Sequence, residues 1–465
     1  MDVEFLARLQ FAVTIMFHYI YPPLSIGLGI ILVLIESRYI QTRNPLYQEA
    51  AKFWTKVFAL TFAIGVATGI VMEFEFGTNW ATYSRYVGDV FGSALAAEGV
   101  FAFFLESGFL AIMLFGWDKV STKVHFLSTI LVCLGAHFSA IWIVVANSWM
   151  QTPAGYHIVG EGLNARAEIT DFWAMVFNPS SMDRLIHVIL GAWLAGAFLV
   201  ISVSAYYILK GRHLEFARHS MKVALGVACV TVVLQGISGD SSAQKVAIYQ
   251  PAKLAAFEGL YKTEAGAPLT LLGLPNKEAE RLDYAISVPK LLSFLAFRDF
   301  SATVVGLDQY PKQDWPNVAA VFQTYHLMIA MWGLMCVAAF GALILWRRNR
   351  LFSSRWMLKF LVISAIFPQI ANQAGWVSAE MGRYPWVVYG LLRISEGLSK
   401  SVTAHQVLGS LIMFSFVYLA LLILFVYLLN EKFKHGPSNH DTTVLYHQQL
   451  ASLQEYPHES NQQSP

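Results

Sequence analysis

The sequence contains few charged residues and few cysteines. Asp, Glu, Lys and Arg make up 13% of its 465 residues, roughly half of the share found in a soluble domain. Basic and acidic side chains nearly balance at a net charge of +2, so nucleic acid is not a predicted partner. The three cysteines form no CxxC or CxxCH motif, which argues against a disulfide framework and against a covalently attached c-type haem.

Long apolar runs take the place of the missing charge, and hydrophobic residues make up 56% of the chain. A helix needs about 20 apolar residues to cross about 30 Å of hydrocarbon, and nine runs are long enough. The sequence therefore predicts an all-α integral membrane protein, a bundle of nine transmembrane helices within residues 1–430. The runs cover residues 11–36, 53–73, 93–116, 126–148, 185–209, 221–238, 318–346, 357–379 and 402–429.

The connecting segments predict the orientation of the bundle. Lys and Arg collect in the odd-numbered connections, for example at Arg38 and Arg43 and again at Arg347 and Arg348. Because basic residues concentrate on the cytoplasmic side, we expect the N-terminus outside and the C-terminus in the cytoplasm. The segment 239–317 is far longer than an ordinary connection and is predicted to be a functional outer loop. Residues 431–465 are polar and predict a disordered cytoplasmic tail.

Several polar side chains interrupt the apolar runs, and most of them fall in the predicted outer half of the membrane. An ionisable group inside a span costs several kcal/mol, about 2.5–3.5 on insertion scales, so each is a functional candidate. Histidine and methionine are axial haem ligand types, but a single His is equally a hydrogen-bonded structural group, and a single Met is usually core packing. The candidates at this depth are His18, Glu98, Glu106, His187, Met328 and Glu380.

Two of these acids, Glu98 and Glu106, fall in one predicted span. On a continuous helix they would lie about 80° apart around the axis and about 12 Å apart along it. This spacing suits two steps of a proton relay, and a locally paired set of structural acids is the alternative.

Six motifs in order resemble subunit I of the cytochrome bd quinol oxidases, over nearly the whole chain. They are FGTNW (76–80), YVGD (86–89), AAEGVFAFFLES (96–107), VANSWMQTPAG (145–155), QPAKLAAFE (250–258) and GWVSAEMGRYPW (375–386). The resemblance implies the haem-bearing subunit of a terminal quinol:oxygen oxidoreductase in a bacterial inner membrane. Such a subunit oxidises ubiquinol or menaquinol outside and reduces O2 to water with cytoplasmic protons, which generates proton motive force without pumping. Its implied partners are subunit II, membrane lipid and, as an open point, a small single-helix subunit.

The resemblance also implies roles for individual residues. His187 and Met328 match the ligands of a low-spin haem b, while His18 and Glu380 match the ligands of a high-spin haem b and a haem d. Which of the two holds haem d is open, with His18 favoured. Arg383 matches a position beside haem propionates. The outer loop is as short as in family members where haem b replaces haem d, so the identity of this haem is also open.

The remaining motifs imply a quinol site and a proton path. Lys253 and Glu258 belong to the string that resembles the quinol-binding loop, and Glu98 and Glu106 match the family pair that brings protons to the oxygen-reducing haem. One position departs from the family pattern: His326 stands two residues before Met328, where well-known members have arginine. His326 is therefore an alternative ligand.

Two other functions use intramembrane acids and histidines. In a proton-coupled secondary transporter these residues would be substrate or proton sites, but the sequence shows no internal repeat and no pair of Gly/Pro-broken helices. A haem-bearing anchor that only passes electrons would need His and Met, and would leave Glu98, Glu106 and Glu380 without a role.

Overall fold

The computed structural model describes residues 2–99 and 103–437 of the protein, and most of this part is helical. The helices are α1 (Val3–His18), α2 (Tyr21–Thr42), α3 (Pro45–Thr78), α4 (Ala81–Tyr86), α5 (Gly88–Ala97), α6 (Phe103–Phe115), α7 (Thr122–Gln151), α8 (Phe172–Val176), α9 (Ser181–Lys210), α10 (Leu214–Tyr249), α11 (Pro251–Glu258), α12 (Leu291–Phe297), α13 (Val318–Arg347), α14 (Arg355–Ile363), α15 (Ile366–Met381), α16 (Ile394–Gly397) and α17 (Ala404–His435).

Short strands occur only in the connections of the described part. They form four two-stranded antiparallel sheets, β1 with β2, β3 with β6, β4 with β5 and β7 with β8. The strands are β1 (Tyr156–Val159), β2 (Arg166–Ile169), β3 (Glu264–Ala265), β4 (Leu269–Asn276), β5 (Arg281–Val288), β6 (Thr303–Val304), β7 (Trp386–Val388) and β8 (Leu392–Arg393).

The structure supports a multi-pass membrane protein. Its described residues contain eight segments that are long and apolar enough to cross a membrane. The segment predicted over 93–116 is not among them, because α5 ends at Ala97 and α6 begins at Phe103, with residues 100–102 outside the described part. The predicted mostly helical bundle is therefore confirmed, whereas the count of nine spans and the orientation of the termini stay predictions.

Two helices extend past predicted boundaries. Helix α10 continues to Tyr249, so residues 239–249 of the predicted outer loop are helical. The polar residues beyond 238 are mostly half-buried, and Ser241 donates a hydrogen bond to Asp183 on α9. Hydropathy locates the lipid-crossing part of a helix and does not locate its end.

The predicted tail also begins later than residue 431, because α17 ends at His435. The rest of the tail, residues 438–465, lies outside the described residues, so its predicted disorder is untested.

Helices α2 and α9 form the closest contact in the centre of the bundle. A Cβ atom on Gly27 would lie 2.1 Å from the carbonyl oxygen of Ala192, and one on Gly196 would lie 2.2 Å from the carbonyl carbon of Gly27. Only glycine lets two backbones approach this closely, as small residues do in other membrane helix pairs. Trp54 and Phe198 are completely buried in the adjoining hydrophobic core.

The first membrane segment is interrupted at its candidate ligand. Helix α1 ends at His18 and α2 begins at Tyr21, with prolines in the first turn of α2. Proline has no backbone N–H to donate, so a helix start is one of the few helical places that tolerates it. His18 therefore lies at a break in the chain that α3 packs against.

Candidate functional site

The hydrogen bonds of His18 determine which ring nitrogen can bind a metal. Its Nδ1 lies 3.0 Å from the hydroxyl oxygen of Thr68, and that hydroxyl already donates to the carbonyl oxygens of Ile64 and Gly65 at 2.9 and 3.0 Å. Nδ1 is therefore the donor, and Nε2 keeps the lone pair that a metal needs. A Cβ atom on Gly69 would lie 3.2 Å from Cε1 of this ring, so the glycine leaves room for it.

Met328 and helix α9, which carries His187, both pack against α15. A Cβ atom on Gly375 of α15 would lie 2.9 Å from the sulfur of Met328. One turn earlier on α15, Asn372 lies within 2.8 Å of a Cβ atom built on Gly191, which is one turn after His187 on α9. The two predicted low-spin ligands thus lie on helices that share one neighbour.

The amide of Gln235 lies beside the ring of His187. Its Nε2 is 3.0 Å from Nε2 and 3.2 Å from Nδ1 of the ring. Its Oε1 is buried without a hydrogen-bond partner among the described residues. Gln235 would therefore have to move away from the ring for Nε2 of His187 to bind iron.

His326 has a different environment from His187. Its Nδ1 lies 2.8 Å from the carbonyl oxygen of Phe322, and its Nε2 lies 2.8 Å from that of Thr270. The ring also stacks on Phe322 at 3.9 Å between centroids. Because both nitrogens point at carbonyl oxygens, neither is directed at a ligand position, and Met328 is the better candidate of the two.

Glu380 is the acceptor at the centre of a polar cluster near the end of α15. Its Oε1 accepts hydrogen bonds from Asn147 at 3.2 Å and from Gln151 at 3.1 Å, both on α7. Its Oε2 lies 2.6 Å from the guanidinium of Arg383. Both oxygens are therefore engaged, and Glu380 would have to exchange one of these contacts to bind iron.

Gln151 connects this cluster to the predicted quinol loop. While its Nε2 donates to Glu380, its Oε1 accepts a hydrogen bond from the ammonium of Lys253 on α11. Lys253 also donates to Gln250. A single amide therefore joins a predicted haem ligand to a predicted quinol-binding residue, although the two lie in separate motifs of the sequence.

The cluster contains more positive than negative charge. Arg184, Lys253 and Arg383 surround the one carboxylate of Glu380, and Arg184 donates to Asn147. Nη1 of Arg383 and Nε of Arg184 are buried and have no partner among the described residues. Unsatisfied guanidinium N–H groups on these two arginines match the two propionate carboxylates of a haem.

Lys253 is completely enclosed by this cluster. Burial holds the pKa of its ammonium well below the usual range, and the positive charges of Arg184 and Arg383 lower it further, while Glu380 acts in the opposite direction. A lysine in this environment releases its proton easily. It can therefore exchange a proton with a bound hydroxyl group.

Glu258 ends α11 on the other side of the same short helix. It is 3% exposed. Burial raises the pKa of its carboxyl to about 8, although a hydrogen bond from the backbone N–H of Thr270 acts in the opposite direction. Its Oε2 has no hydrogen-bond partner among the described residues. An acid with a pKa near neutrality and a free oxygen is suited to general base catalysis.

A cavity of about 340 Å³ lies near the end of α11. Its walls include Tyr261, Trp315, Tyr384 and Arg8. The hydroxyl of Tyr261 is buried without a partner among the described residues, so an aromatic ring with oxygen substituents would find both stacking surface and a hydrogen-bond donor here.

Glu98 and Glu106 do not lie on one described helix. Glu98 is the C-cap of α5 and accepts a hydrogen bond from Ser139 of α7, whereas Glu106 is a buried residue of α6. The expected spacing on a continuous helix is therefore not observed in the described residues. Glu98 is still close enough to Glu106 for their charges to interact.

Sequence analysis overlooked several polar residues of the site. Asn147 and Gln151 were in a quoted motif, and their spacing of four residues, which puts them on one helix face, was the signal that could have identified them. Arg184 and Glu75 are single charged residues close to apolar runs. Glu36 is a third, and side chains of α7 form hydrogen bonds with its carboxylate. Their partners come from distant parts of the chain.

The described residues contain no group of three or more His, Cys, Asp or Glu side chains that could bind a metal ion by themselves. The candidate ligands occur singly, on different helices. This distribution fits haem iron, which takes four ligands from its porphyrin and one or two from the protein.

Comparison with known proteins gives one consistent result. The family model described as cytochrome bd terminal oxidase subunit I matches residues 6–437. Cytochrome bd ubiquinol oxidase subunit 1 of Bacillus subtilis is 40% identical over 453 residues, which cover 94% of this chain and 96% of the relative. Cytochrome bd-II ubiquinol oxidase subunit 1 of Escherichia coli is 35% identical over 503 residues, covering 94% and 97%.

A solved structure agrees with these relatives. The bd oxidase from Geobacillus thermodenitrificans superimposes with a TM-score of 0.86 at 29% identity, over 94% of this chain and 99% of the other. The sequence motifs, the fold and the comparisons all lead to the same assignment, and the chain belongs to the cytochrome bd terminal oxidase subunit I family.

Proposed function

We propose that this protein is the haem-bearing subunit of a terminal oxidase that oxidises quinol at its predicted outer end and reduces O2 to water. Its family consists of quinol oxidases, so the chain is an oxidoreductase. The observation that carries the finer proposal is the bridge from Lys253 through Gln151 to Glu380. It would link a proton-exchanging quinol residue to a haem ligand through one amide.

Quinol oxidation would use the two buried groups of α11. Each quinol releases two protons and two electrons as it becomes quinone. Glu258, when ionised, accepts the proton of one quinol hydroxyl through its free Oε2, and Lys253, which burial brings toward the neutral form, accepts the proton of the other. Both protons then leave to the outer side. The quinol is ubiquinol or menaquinol, since both have the same pair of hydroxyl groups.

The ligand residues fit three haems. His187 and Met328 would hold a low-spin haem b, and His18 and Glu380 would hold a high-spin haem b and either haem d or a further haem b. Arg383 and Arg184 would bind propionates with their unsatisfied N–H groups. These haems supply electron storage and an iron that can bind O2. The protein orients them and keeps bulk water out.

Protons for water formation would reach the site through Glu106 and Glu98. Two quinols and one O2 give two quinones and two waters, and the four protons consumed come from the cytoplasm while four are released outside. Glu98, bonded to Ser139, and the buried Glu106 are acids placed where water is scarce. Turnover would generate proton motive force without a pump.

The family name also indicates an assembly. A protein designated subunit 1 implies a subunit II, and we propose that the two associate in a bacterial inner membrane, with surrounding lipid and a small single-helix subunit as further partners. The rival function, a proton-coupled secondary transporter, would leave the ligand geometry around His18 and the excess of positive charge around Glu380 unexplained.

The deciding experiment is a dithionite-reduced minus oxidised spectrum of the purified complex, followed by addition of carbon monoxide. We expect a low-spin b-type spectrum and a second component that carbon monoxide shifts. A chlorin band would identify haem d, and its absence would assign haem b to that position. An intact, folded complex without haem would refute the oxidase and favour the transporter.

A further inference from the structure

Glu75 on α3 is a buried acid that the proposed function does not use. It is 2% exposed, and the hydroxyl of Thr14 on α1 donates to its Oε1 at 2.6 Å. Its Oε2 is buried without a hydrogen-bond partner, and no ion pair to it exists within residues 2–99 and 103–437. An unpaired carboxylate at membrane depth costs free energy, so Glu75 must either be protonated or have a compensating positive charge nearby.

Glu75 belongs to a chain of polar side chains between α1, α3 and α17. The hydroxyls of Tyr418 and Thr14 are 2.9 Å apart. On the other side of the carboxyl, Gln10 lies next to it and accepts hydrogen bonds from Asn79 and Ser410, each at 3.0 Å. This chain crosses an otherwise apolar part of the bundle.

The polar chain leads to the end of the bundle at which α1 begins and α3 ends, the predicted outer end. Asn79 caps the end of α3, and its carbonyl oxygen accepts a hydrogen bond from the backbone N–H of Ser399 at 3.0 Å. Ser399 lies in a half-buried connection. Gln10 and Asn79 therefore lie between the buried carboxyl and the half-buried connection at that end.

Glu75 is also close to His18. Its partner Thr14 lies one helical turn before His18 on α1, about 6 Å along the axis. Thr68, which binds the ring of His18, lies two turns before Glu75 on α3, about 10 Å along the axis. A unit charge at this distance in a poorly solvated interior interacts with the carboxyl by more than the thermal energy.

We propose that Glu75 is a redox-linked protonation site, which gains a proton when the haem that His18 would hold is reduced and loses it on oxidation. The proposal depends on the proposed function for that haem. Reduction adds one electron, and so one negative charge, near the carboxylate. The ionised form of Glu75 then becomes less favourable. One proton taken up from the predicted outer end then forms an O–H bond at the free Oε2 and restores the local charge, while Asn79 and Gln10 line the polar side from which it enters.

Few other groups can take this role. On the elements packed around Glu75, Tyr418 of α17 is the titratable side chain in its hydrogen-bond network. Glu73 on α3 and Arg85 on α4 are exposed. A purely structural role would require the carboxyl to stay protonated in both redox states.

Redox-difference infrared spectroscopy of the whole complex tests this inference, with Glu75→Gln compared with the matched exposed variant Glu73→Gln. We expect a carboxylic acid C=O band that grows on reduction, shifts in D2O, disappears in Glu75→Gln and persists in Glu73→Gln. The midpoint potential of the same haem should fall with rising pH in the wild type and fall less in Glu75→Gln. An identical band and pH dependence in Glu75→Gln would overturn the proposal.

The wild type alone also tests the inference if Glu75→Gln does not assemble. A potential of the His18 haem that does not change with pH would overturn it, and a pH-dependent potential with the D2O-sensitive band would support it. The visible spectrum distinguishes a failure of the haem assignment for His18 from a failure of the proposal for Glu75. Loss of this haem in a folded His18→Ala complex supports its assignment, and full retention would refute that assignment and with it the redox link of Glu75.

Discussion

Glu258 is the buried acid that we expect to take a proton from quinol, and glutamine at this position keeps the side-chain volume while removing the base. Burial raises the pKa of Glu258 to about 8. At pH 7 about one carboxyl in ten is therefore ionised, and this ionised fraction falls about tenfold for each pH unit below 7. Since only the carboxylate can accept a proton, quinol oxidation by the wild type should rise with pH and level off above about pH 8.

In Glu258→Gln, the rate at pH 8 should fall by about 10²–10⁴-fold, the usual contribution of a general base, and the rising limb should disappear. The assay is anaerobic stopped-flow reduction of the haems by a short-chain quinol at several pH values, so that oxygen chemistry does not limit the rate. Glu278→Gln, an exposed acid in the same connection, is the control and should keep the wild-type profile. A Glu258→Gln complex with intact haems and an unchanged pH profile would refute the assignment.

Three further changes test other parts of the protein. Met328→Leu should alter the low-spin haem spectrum and leave carbon monoxide binding intact; an unchanged low-spin spectrum would return His326 to consideration. Glu106→Gln should slow steady-state oxygen consumption by more than tenfold, with quinol reduction of the haems preserved, and a wild-type turnover rate would remove it from the proton path. Gly196→Ala should cost about 1–3 kcal/mol, seen as a lower melting temperature of the complex, since its Cβ atom would overlap Gly27. Gly226→Ala, whose Cβ atom meets nothing within 4 Å, should not lower it.

The polar cluster at Glu380 gives a physical reason for coupling between the two proposed reactions. Gln151 is both donor to Glu380 and acceptor from Lys253, so a change of charge at either end alters the hydrogen bonding at the other. Quinol binding beside Lys253 would change the hydrogen bonding of Glu380 through the amide of Gln151. The same cluster contains Arg383, whose buried Nη1 has no hydrogen-bond acceptor in the described part of the chain.

Hydropathy and charge predicted the class of the protein because both depend on local composition. A run of about 20 apolar residues has to cross a membrane or be buried, whatever its neighbours are, and α13 and α17 begin within two residues of their predicted starts at 318 and 402. The high cost of an ionisable residue in a span is also local, so candidates such as His18 and Glu380 could be chosen from the sequence alone. The six motifs added the family, which the comparisons confirm.

Only the tertiary structure decided which of these residues meet. The bridge between Lys253 and Glu380, the carbonyl partners of His326 and the polar chain around Glu75 all depend on the rotation and packing of helices that are distant in sequence. The same holds for the polar end of α10, where Ser241 donates a hydrogen bond to Asp183 of α9. Apolar length and residue cost are properties of one segment, whereas hydrogen-bond partners and burial are properties of several segments packed together, and no single segment contains them.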